Sequence, residues 1–173
     1  MNYYELIYLN RTLKNKLTGG KIRQSVSPYK NYIEFFVEGA EQSFRLCFSS
    51  APGNIALFID SNRGAKKSNT IDFFESIYDL EITDVSIPET DRWFYIHFED
   101  ESRLSFRLFS NRANVFLSKG GVIKDVFKEY DEPGEETPEP QELDLYEVEG
   151  DISKKSTKNK LVTLNPMLPR QNL

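Results

Sequence analysis

The sequence resembles itself at a spacing of about sixty residues, and a repeat of that length restricts a chain to architectures in which two similar units cover each other. Ser43-Phe44-Arg45-Leu46 recurs as Ser105-Phe106-Arg107-Leu108, and Phe48-Ser49 as Phe109-Ser110. Ala51-Pro52-Gly53-Asn54-Ile55-Ala56-Leu57 is echoed by Arg112-Ala113-Asn114-Val115-Phe116-Leu117, and Ile22 to Pro28 by Ile82 to Pro88. One unit alone would leave an apolar sheet face in water. Two units packed face to face remove both faces from it.

Each unit opens with a helical pattern and then changes to period two. Leu6, Leu9, Leu13 and Leu17 form one apolar stripe, which predicts a helix over 3–17 stopped by Gly19-Gly20. A shorter helix is predicted over 70–79, with Asn69 or Thr70 as its cap, Asp72 in its first turn and Phe73, Phe74, Ile77 and Tyr78 turned inward. Alternating runs predict strands near 21–27, 32–38, 42–49 and 54–59, then near 81–87, 92–98, 103–109 and 113–118, with a short ninth at 122–127. Turn residues separate them at Pro28-Tyr29-Lys30-Asn31, Glu38-Gly39-Ala40, Glu99-Asp100-Glu101-Ser102 and Gly120-Gly121. The expected fold is α+β: a two-fold repeat of a helix plus a four-stranded antiparallel meander, forming a β-sandwich. Loop 60–69, carrying Arg63, Gly64, Lys66 and Lys67, would join the halves.

Charge divides the chain more sharply than its net value of −5 suggests. Residues 129–151 hold eleven Asp and Glu, three prolines and no Lys or Arg, a composition that buries too little apolar surface to fold by itself. The body, 1–128, is nearly neutral, with 17 basic and 16 acidic residues, whereas 152–173 carries Lys154, Lys155, Lys158, Lys160 and Arg170 and no acid. The expected organisation is a domain over 1–128, an acidic linker over 129–151 and the start of a following segment over 152–173. The acidic run reads first as a solvated spacer and second as an anion mimic.

Several chemistries drop out on composition. One Cys and one His cannot build an internal disulfide or a zinc site of paired Cys and His ligands. His97 alternates within Trp93-Phe94-Tyr95-Ile96-His97-Phe98, where a structural imidazole is the expected role. Neither G-x-G-x-x-G nor G-x-x-x-x-G-K-[ST] occurs. The reading is therefore a binding protein and not an enzyme, with no cofactor and no metal. No apolar run approaches the roughly 18 residues of a membrane helix, and the N-terminal stretch lacks the pattern of a signal peptide, so a cytoplasmic protein is expected.

An ordered set of short motifs resembles the N-terminal domain of the NFACT family, whose members include RqcH-like factors and proteins called fibronectin-binding protein A. The set runs from Thr18-Gly19-Gly20-Lys21-Ile22 after the first helix, through Leu46-Cys47-Phe48-Ser49-Ser50-Ala51-Pro52 and Thr90-Asp91-Arg92, to Ser110-Asn111-Arg112-Ala113-Asn114-Val115-Phe116-Leu117. It covers about residues 3–128. Lys160 to Leu168 is similar to the opening of the helix-hairpin-helix domain that follows in NFACT proteins. The resemblance implies a ribosome quality control factor that binds tRNA on stalled large ribosomal subunits. It also implies a fold similar to the N-domain of formamidopyrimidine-DNA glycosylases. Those enzymes use an N-terminal proline amine and an adjacent glutamate, and this chain begins Met1-Asn2-Tyr3, which does not support base excision.

Carried over residue by residue, the resemblance makes Asp91 and Arg92 the RNA-contacting pair, with Arg112, Lys21 and Arg23 extending the surface and Tyr29 able to stack on a base. Asn2 stands where tailing members have an acid, and Glu75-Ser76 where they have Arg-Lys in the second helix, so C-terminal tailing of a nascent chain is not carried over. A bland reading stays open for each position: Asp91-Arg92 as an exposed turn pair, the other cations as solvated charges, Tyr29 as a packed turn residue. At the level of the protein, the alternative to RNA binding is a protein-interaction or adhesion module.

Overall fold

The computed structural model describes residues 2–61, 70–89 and 91–129. Loop residues Arg63, Gly64, Lys66 and Lys67, the acidic segment beyond Glu129 and the 152–173 stretch lie outside the described residues. Among the described residues one α-helix, α1 (Tyr3–Leu17), precedes ten strands: β1 (Lys21–Tyr29), β2 (Tyr32–Glu38), β3 (Ser43–Ala51), β4 (Asn54–Asp60), β5 (Ile71–Asp72), β6 (Ile82–Ser86), β7 (Trp93–Phe98), β8 (Ser102–Arg107), β9 (Asn114–Lys119) and β10 (Val122–Val126). They form two five-stranded antiparallel sheets, ordered β4-β3-β2-β1-β5 and β10-β9-β8-β7-β6, and make an α+β sandwich.

The helix forms because its ends are satisfied and one side is apolar. Asn2 and Glu5 make a capping box: the Glu5 amide donates to Asn2 Oδ1 (2.9 Å) and the Asn2 amide to Glu5 Oε2 (2.7 Å). Leu6, Ile7, Leu13 and Leu17 are buried; Leu9, predicted in the stripe, is half-buried, and Asn10 takes a buried place instead. Gly19 adopts φ +77° to end the helix. A Cβ on Gly20 would stand 2.8 Å from the Glu38 carbonyl oxygen and 2.9 Å from that of Leu17, so only glycine fits there. This turn is clamped onto the second half: the Gly19 amide donates to the Ile82 carbonyl and the Ile82 amide to that of Gly20, each at 2.8 Å. Lys14 pairs with Asp84 (2.9 Å), and the Tyr3 hydroxyl donates to the Pro88 carbonyl (2.9 Å), fixing the helix beside β6.

The second helix, predicted over 70–79, is not formed. Its residues make β5 and a single 3-10 turn, Glu75–Ile77. Ten residues are too few to hold an isolated helix, and their backbone groups find partners on β1. Val26 and Ser27 of β1 pair with Asp72 and Ile71, the Phe73 amide donates to the Ser25 carbonyl (3.1 Å), and the Asp79 amide to that of Ile22 (3.0 Å). The Tyr78 hydroxyl adds a bond from the Ser25 amide (2.9 Å). Phe74 then takes a left-handed conformation (φ 51°) that turns its ring into the core. Glu75 and Ser76 therefore sit on a short turn and on no helix.

Where the sheets meet, Phe106 is edge-on to Phe35 and Phe48 of the first sheet, with centroids 5.5 and 5.7 Å away, and to Phe94 of its own sheet at 5.8 Å. The repeat holds in strand order and in the alternation of faces, but not in residue register. Arg45 lies opposite Phe36 in the middle of β2, whereas Arg107 lies opposite Trp93 at the start of β7.

Candidate functional site

Alternation along β7, β8 and β9 sends Phe94, Ile96, Leu104, Phe106, Val115 and Leu117 to the core and a different set to the opposite face. Three rows cross that outer face: Trp93–Arg107–Asn114, Tyr95–Ser105–Phe116 and His97–Arg103–Ser118. Trp93, Tyr95 and Phe116 form a buried cluster, against which Phe109, Ile123 and Val126 pack.

The arginines of this face lie on rings. The Arg107 guanidinium carbon is 5.3 Å from the Phe116 centroid and 5.8 Å from that of Trp93. Arg103 lies 4.9 Å above Tyr95, and Arg92 lies 5.7 Å above Phe109. A guanidinium on a ring is held by its face, while its donors point outward in its own plane, the geometry that meets a carboxylate or a phosphate. Arg107 is only 3% exposed and its Nε donates to the Arg112 carbonyl (2.7 Å). Asn114 binds the backbone of Lys128 both ways, accepting from its amide and donating to its carbonyl, each at 3.0 Å. Burial, and then the Arg107 charge, lower the pKa of the Lys128 ammonium.

The predicted residues fall into two groups. Asp91 and Arg92 immediately precede β7; the Arg92 amide donates to Asp91 Oδ1 (2.7 Å), and the Leu108 amide to the Arg92 carbonyl (2.9 Å). Arg112 lies in the β8–β9 connection, exposed, its amide donating to Ser110 Oγ (3.2 Å) and its carbonyl held by Arg107. The β8–β9 connection thus brings Asp91, Arg92 and Arg112 to one end of the outer face. Lys21 and Arg23 belong to β1 of the first sheet. Lys21 lies opposite Glu38 in the β1–β2 ladder and its backbone makes an isolated β-bridge with that of Glu81, while the Arg23 side chain pairs with Glu38 (2.6 Å) and Asp79. Hydrogen bonds donated to Glu38 and then to Asp79 raise the Arg23 pKa above its ordinary value, and the Glu38 carboxyl is lowered in return. Tyr29 is 56% exposed at the tip of the first hairpin and stacks on Tyr32, centroids 4.6 Å apart.

Arg103, Arg107 and Lys128 were not singled out from the sequence. Their signal was present in the alternation Arg103-Leu104-Ser105-Phe106-Arg107, which sets charge against an apolar face. The aromatic run 93–98 is a core strand on both sides: Trp93 is 5% and Tyr95 0% exposed, so these rings support arginines and do not stack on bases. His97 Nε2 and Ser86 Oγ are 2.8 Å apart across β6 and β7, tying two strands together. Among the described residues no group of three or more His, Cys, Asp or Glu could hold a metal ion, and no helix is long and apolar enough to cross a membrane.

No family model matches the sequence, and no curated protein matches it. Solved structures do. The N-terminal domain of fibronectin-binding protein PavA from Streptococcus pneumoniae superposes with a TM-score of 0.66 at 16% identity, over 87% of this chain and 68% of that one. The N-terminal part of the fibronectin/fibrinogen-binding protein from Streptococcus suis gives 0.65 at 17% identity, over 80% of this chain and 60% of that one. At such identities the shared property is the fold, and this chain has the fold of those N-terminal domains.

Proposed function

We propose that this chain is the N-terminal RNA-binding module of an NFACT-type, RqcH-like factor, acting in the cytoplasm and engaging tRNA on stalled large ribosomal subunits. It binds and does no chemistry of its own. The observation that carries this reading is the set of arginines lying on aromatic rings across the outer face of the second sheet, continuous with the Asp91-Arg92 turn and the Arg112 loop. Phosphate oxygens are recognised by guanidinium groups, whose paired N–H donors match their geometry. The fold likeness and the ordered motifs from Gly19 to Leu117 support the same assignment. Co-sedimentation of the protein with large ribosomal subunits carrying peptidyl-tRNA tests it. Association is the expected result, and none with stalled or empty subunits would sink the reading.

A second reading rests on the names of the superposed proteins, which are described as binding fibronectin or fibrinogen. In that case the same face is a protein-docking surface. Labelling of intact cells with an impermeant reagent separates the two, because an adhesin must be reached from outside.

A further inference from the structure

We infer that β4, at the edge of the first sheet, pairs antiparallel with β4 of a second copy of this chain, about a two-fold axis at Leu57. The pairing does not depend on RNA binding. Among the described residues the two sheets end in four edge strands, β4, β5, β6 and β10. Proteins blunt such edges with shortness, charge, bulges or cover, because a bare edge takes up a strand of another chain. Three of the four are blunted. β5 is two residues long. β6 carries Asp84, paired with Lys14, and the amide and carbonyl of Ile82 are bonded to the Gly19-Gly20 turn. β10 has a register break between Ile123 and Asp125 and exposes Lys124 and Asp125. β4 has none of these devices. Its seven residues keep unbroken register with β3, and no charged residue, proline or glycine precedes Asp60 in it.

The strand is apolar on both faces yet only partly covered. Of Ile55, Leu57 and Ile59 on the core side only Leu57 is buried, and on the outer side Ala56 is half-buried and Phe58 is 40% exposed. Cross-strand neighbours on an added strand would cover Ile55, Ile59 and Phe58. Backbone direction fits such an addition. The Ser50 amide donates to the Asn31 carbonyl (2.8 Å), away from β4, so Ile55 opposite Ser50 turns its own amide and carbonyl away from β3. Leu57 and Ile59 do the same by alternation, toward an edge where no strand pairs among the described residues. The sequence is its own complement. With Leu57 facing Leu57 of the second copy, Ile55 faces Ile59 and Ala56 faces Phe58, small against large. Asn54 then faces Asp60, which Arg45 already holds, so no acid faces an acid. An in-register parallel pairing would set Asp60 beside Asp60. The hydrogen-bonded pairs of the antiparallel ladder fall on the outward-turned residues, as its geometry requires.

A single strand pair stays below the area of a standard interface, about 1,200 Å², so the dimer should form in the micromolar range and fall apart on dilution. Sedimentation velocity of the whole chain, from about 1 µM to about 300 µM, should show the mass rise from one chain toward two. Ala56→Glu brings a carboxylate close to Asp60 of the other copy and should weaken association about tenfold. Phe58→Lys removes the ring that faces Ala56, sets two cations diagonally across the axis, and should act alike. Mixed together, the two variants set opposite charges face to face and should associate about tenfold more tightly than either does alone. That rescue also shows that both variants fold. Amide exchange followed by NMR should protect Ile55, Leu57 and Ile59 at high concentration and not at low. A monomer at every concentration overturns the pairing. So does a dimer that neither variant weakens, which places the interface elsewhere, and so does a mixture no tighter than its components. Protection of the three amides at every concentration means that another segment of the same chain covers the edge, and it overturns the pairing as well.

Discussion

The two sheets are built from the same meander, yet they treat their arginines differently. On the outer face of the first sheet, Arg45 is clamped between Glu34 (3.0 Å) and Asp60, and Arg23 between Glu38 and Asp79. On the second, Arg92, Arg103 and Arg107 rest on Phe109, Tyr95, Trp93 and Phe116. A guanidinium held in a carboxylate fork has spent its in-plane donors, and an incoming anion must displace that fork. One held by a ring is stabilised by the ring's face and not by a carboxylate of the same sheet. A repeated fold can therefore hold the arginines of equivalent strands in different ways by changing what stands opposite them.

The largest expected effect breaks what the sheets share. Phe106 is fully buried and touches Phe35 and Phe48 across the interface, so Phe106→Ala should cost about 3–5 kcal/mol. Both sheets should melt in one transition at lower temperature. Two separate transitions by calorimetry would show that they are independent bodies, and the comparison would lose its premise.

The next effect concerns the second face alone. Asp91→Ala combined with Arg92→Ala removes a half-buried pair at the edge of the sheet, whose contacts include a local amide bond and the Phe109 ring. The melting temperature should fall only slightly, since the pair lies outside the core and substitutions there usually cost no more than about 1 kcal/mol. Loss of a charged hydrogen-bonding contact to RNA costs about 1.5–3 kcal/mol, about ten- to a hundredfold in affinity. The remaining tRNA binding should also depend less steeply on salt. A double variant that binds tRNA like the parent at several salt concentrations makes this pair an ordinary turn.

Arg45 supplies the converse. Its side chain is 15% exposed, and those of Glu34 and Asp60 are 14% and 29% exposed. Arg45→Met leaves two half-buried carboxylates without their cation and should cost about 1–2 kcal/mol, less than a fully buried pair would. Its tRNA affinity should match wild type. A tenfold fall in affinity would mean that the first sheet also takes part in recognition.

Much of this division was legible in the sequence. Period-two alternation and turn residues located nine strands to within a few residues, because each strand has one face in the core and its turns use Asn31, Gly53 and Gly120-Gly121 at positive φ. The second helix was misread because Phe73, Phe74, Ile77 and Tyr78 satisfy a helical stripe as well as an edge segment. What decided the outcome was the row of backbone groups on β1, and tertiary pairing of that kind leaves no local signal. The site was only partly visible. Asp91, Arg92 and Arg112 came from motif order, but the grouping of Arg103 and Arg107 with Trp93, Tyr95 and Phe116 depends on register across three strands. The Phe-Arg-Leu repeat suggested equivalence for Arg45 and Arg107, and their different places along the hairpins are what gave one carboxylates and the other rings.

The smallest expected effect asks whether the second sheet also uses a carboxylate for stability, at the hairpin next to the Arg103 row. At the β7–β8 hairpin, Asp100 Oδ2 meets Lys119 Nζ (2.8 Å), and Asp100 Oδ1 accepts from the Ser102 amide (3.0 Å). Burial works to raise the Asp100 pKa, but bonds from Lys119 and Ser102 outweigh it and bring the carboxyl down to about 2. An unfolded Asp titrates near about 3.9, so the folded chain holds the charged form more firmly, and the contribution is present above that value. It fades as pH falls toward 2. With 29% of the side chain exposed, solvent screening leaves about 1 kcal/mol of the nominal effect. Asp100→Asn should therefore lower stability by about that much at pH 6, and denaturant midpoints of variant and wild type should converge as pH is lowered through about 4 toward 2. The tRNA affinity of the variant should fall far less than that of the Asp91→Ala, Arg92→Ala variant, because the hairpin adjoins only the Arg103 row and lies at the far end of β8 from Arg92 and Arg112. A stability gap that persists at pH 2 would mean that the hairpin depends on the shape of Asp100 and not its charge. An equal fall in tRNA affinity would extend the binding face to the hairpin.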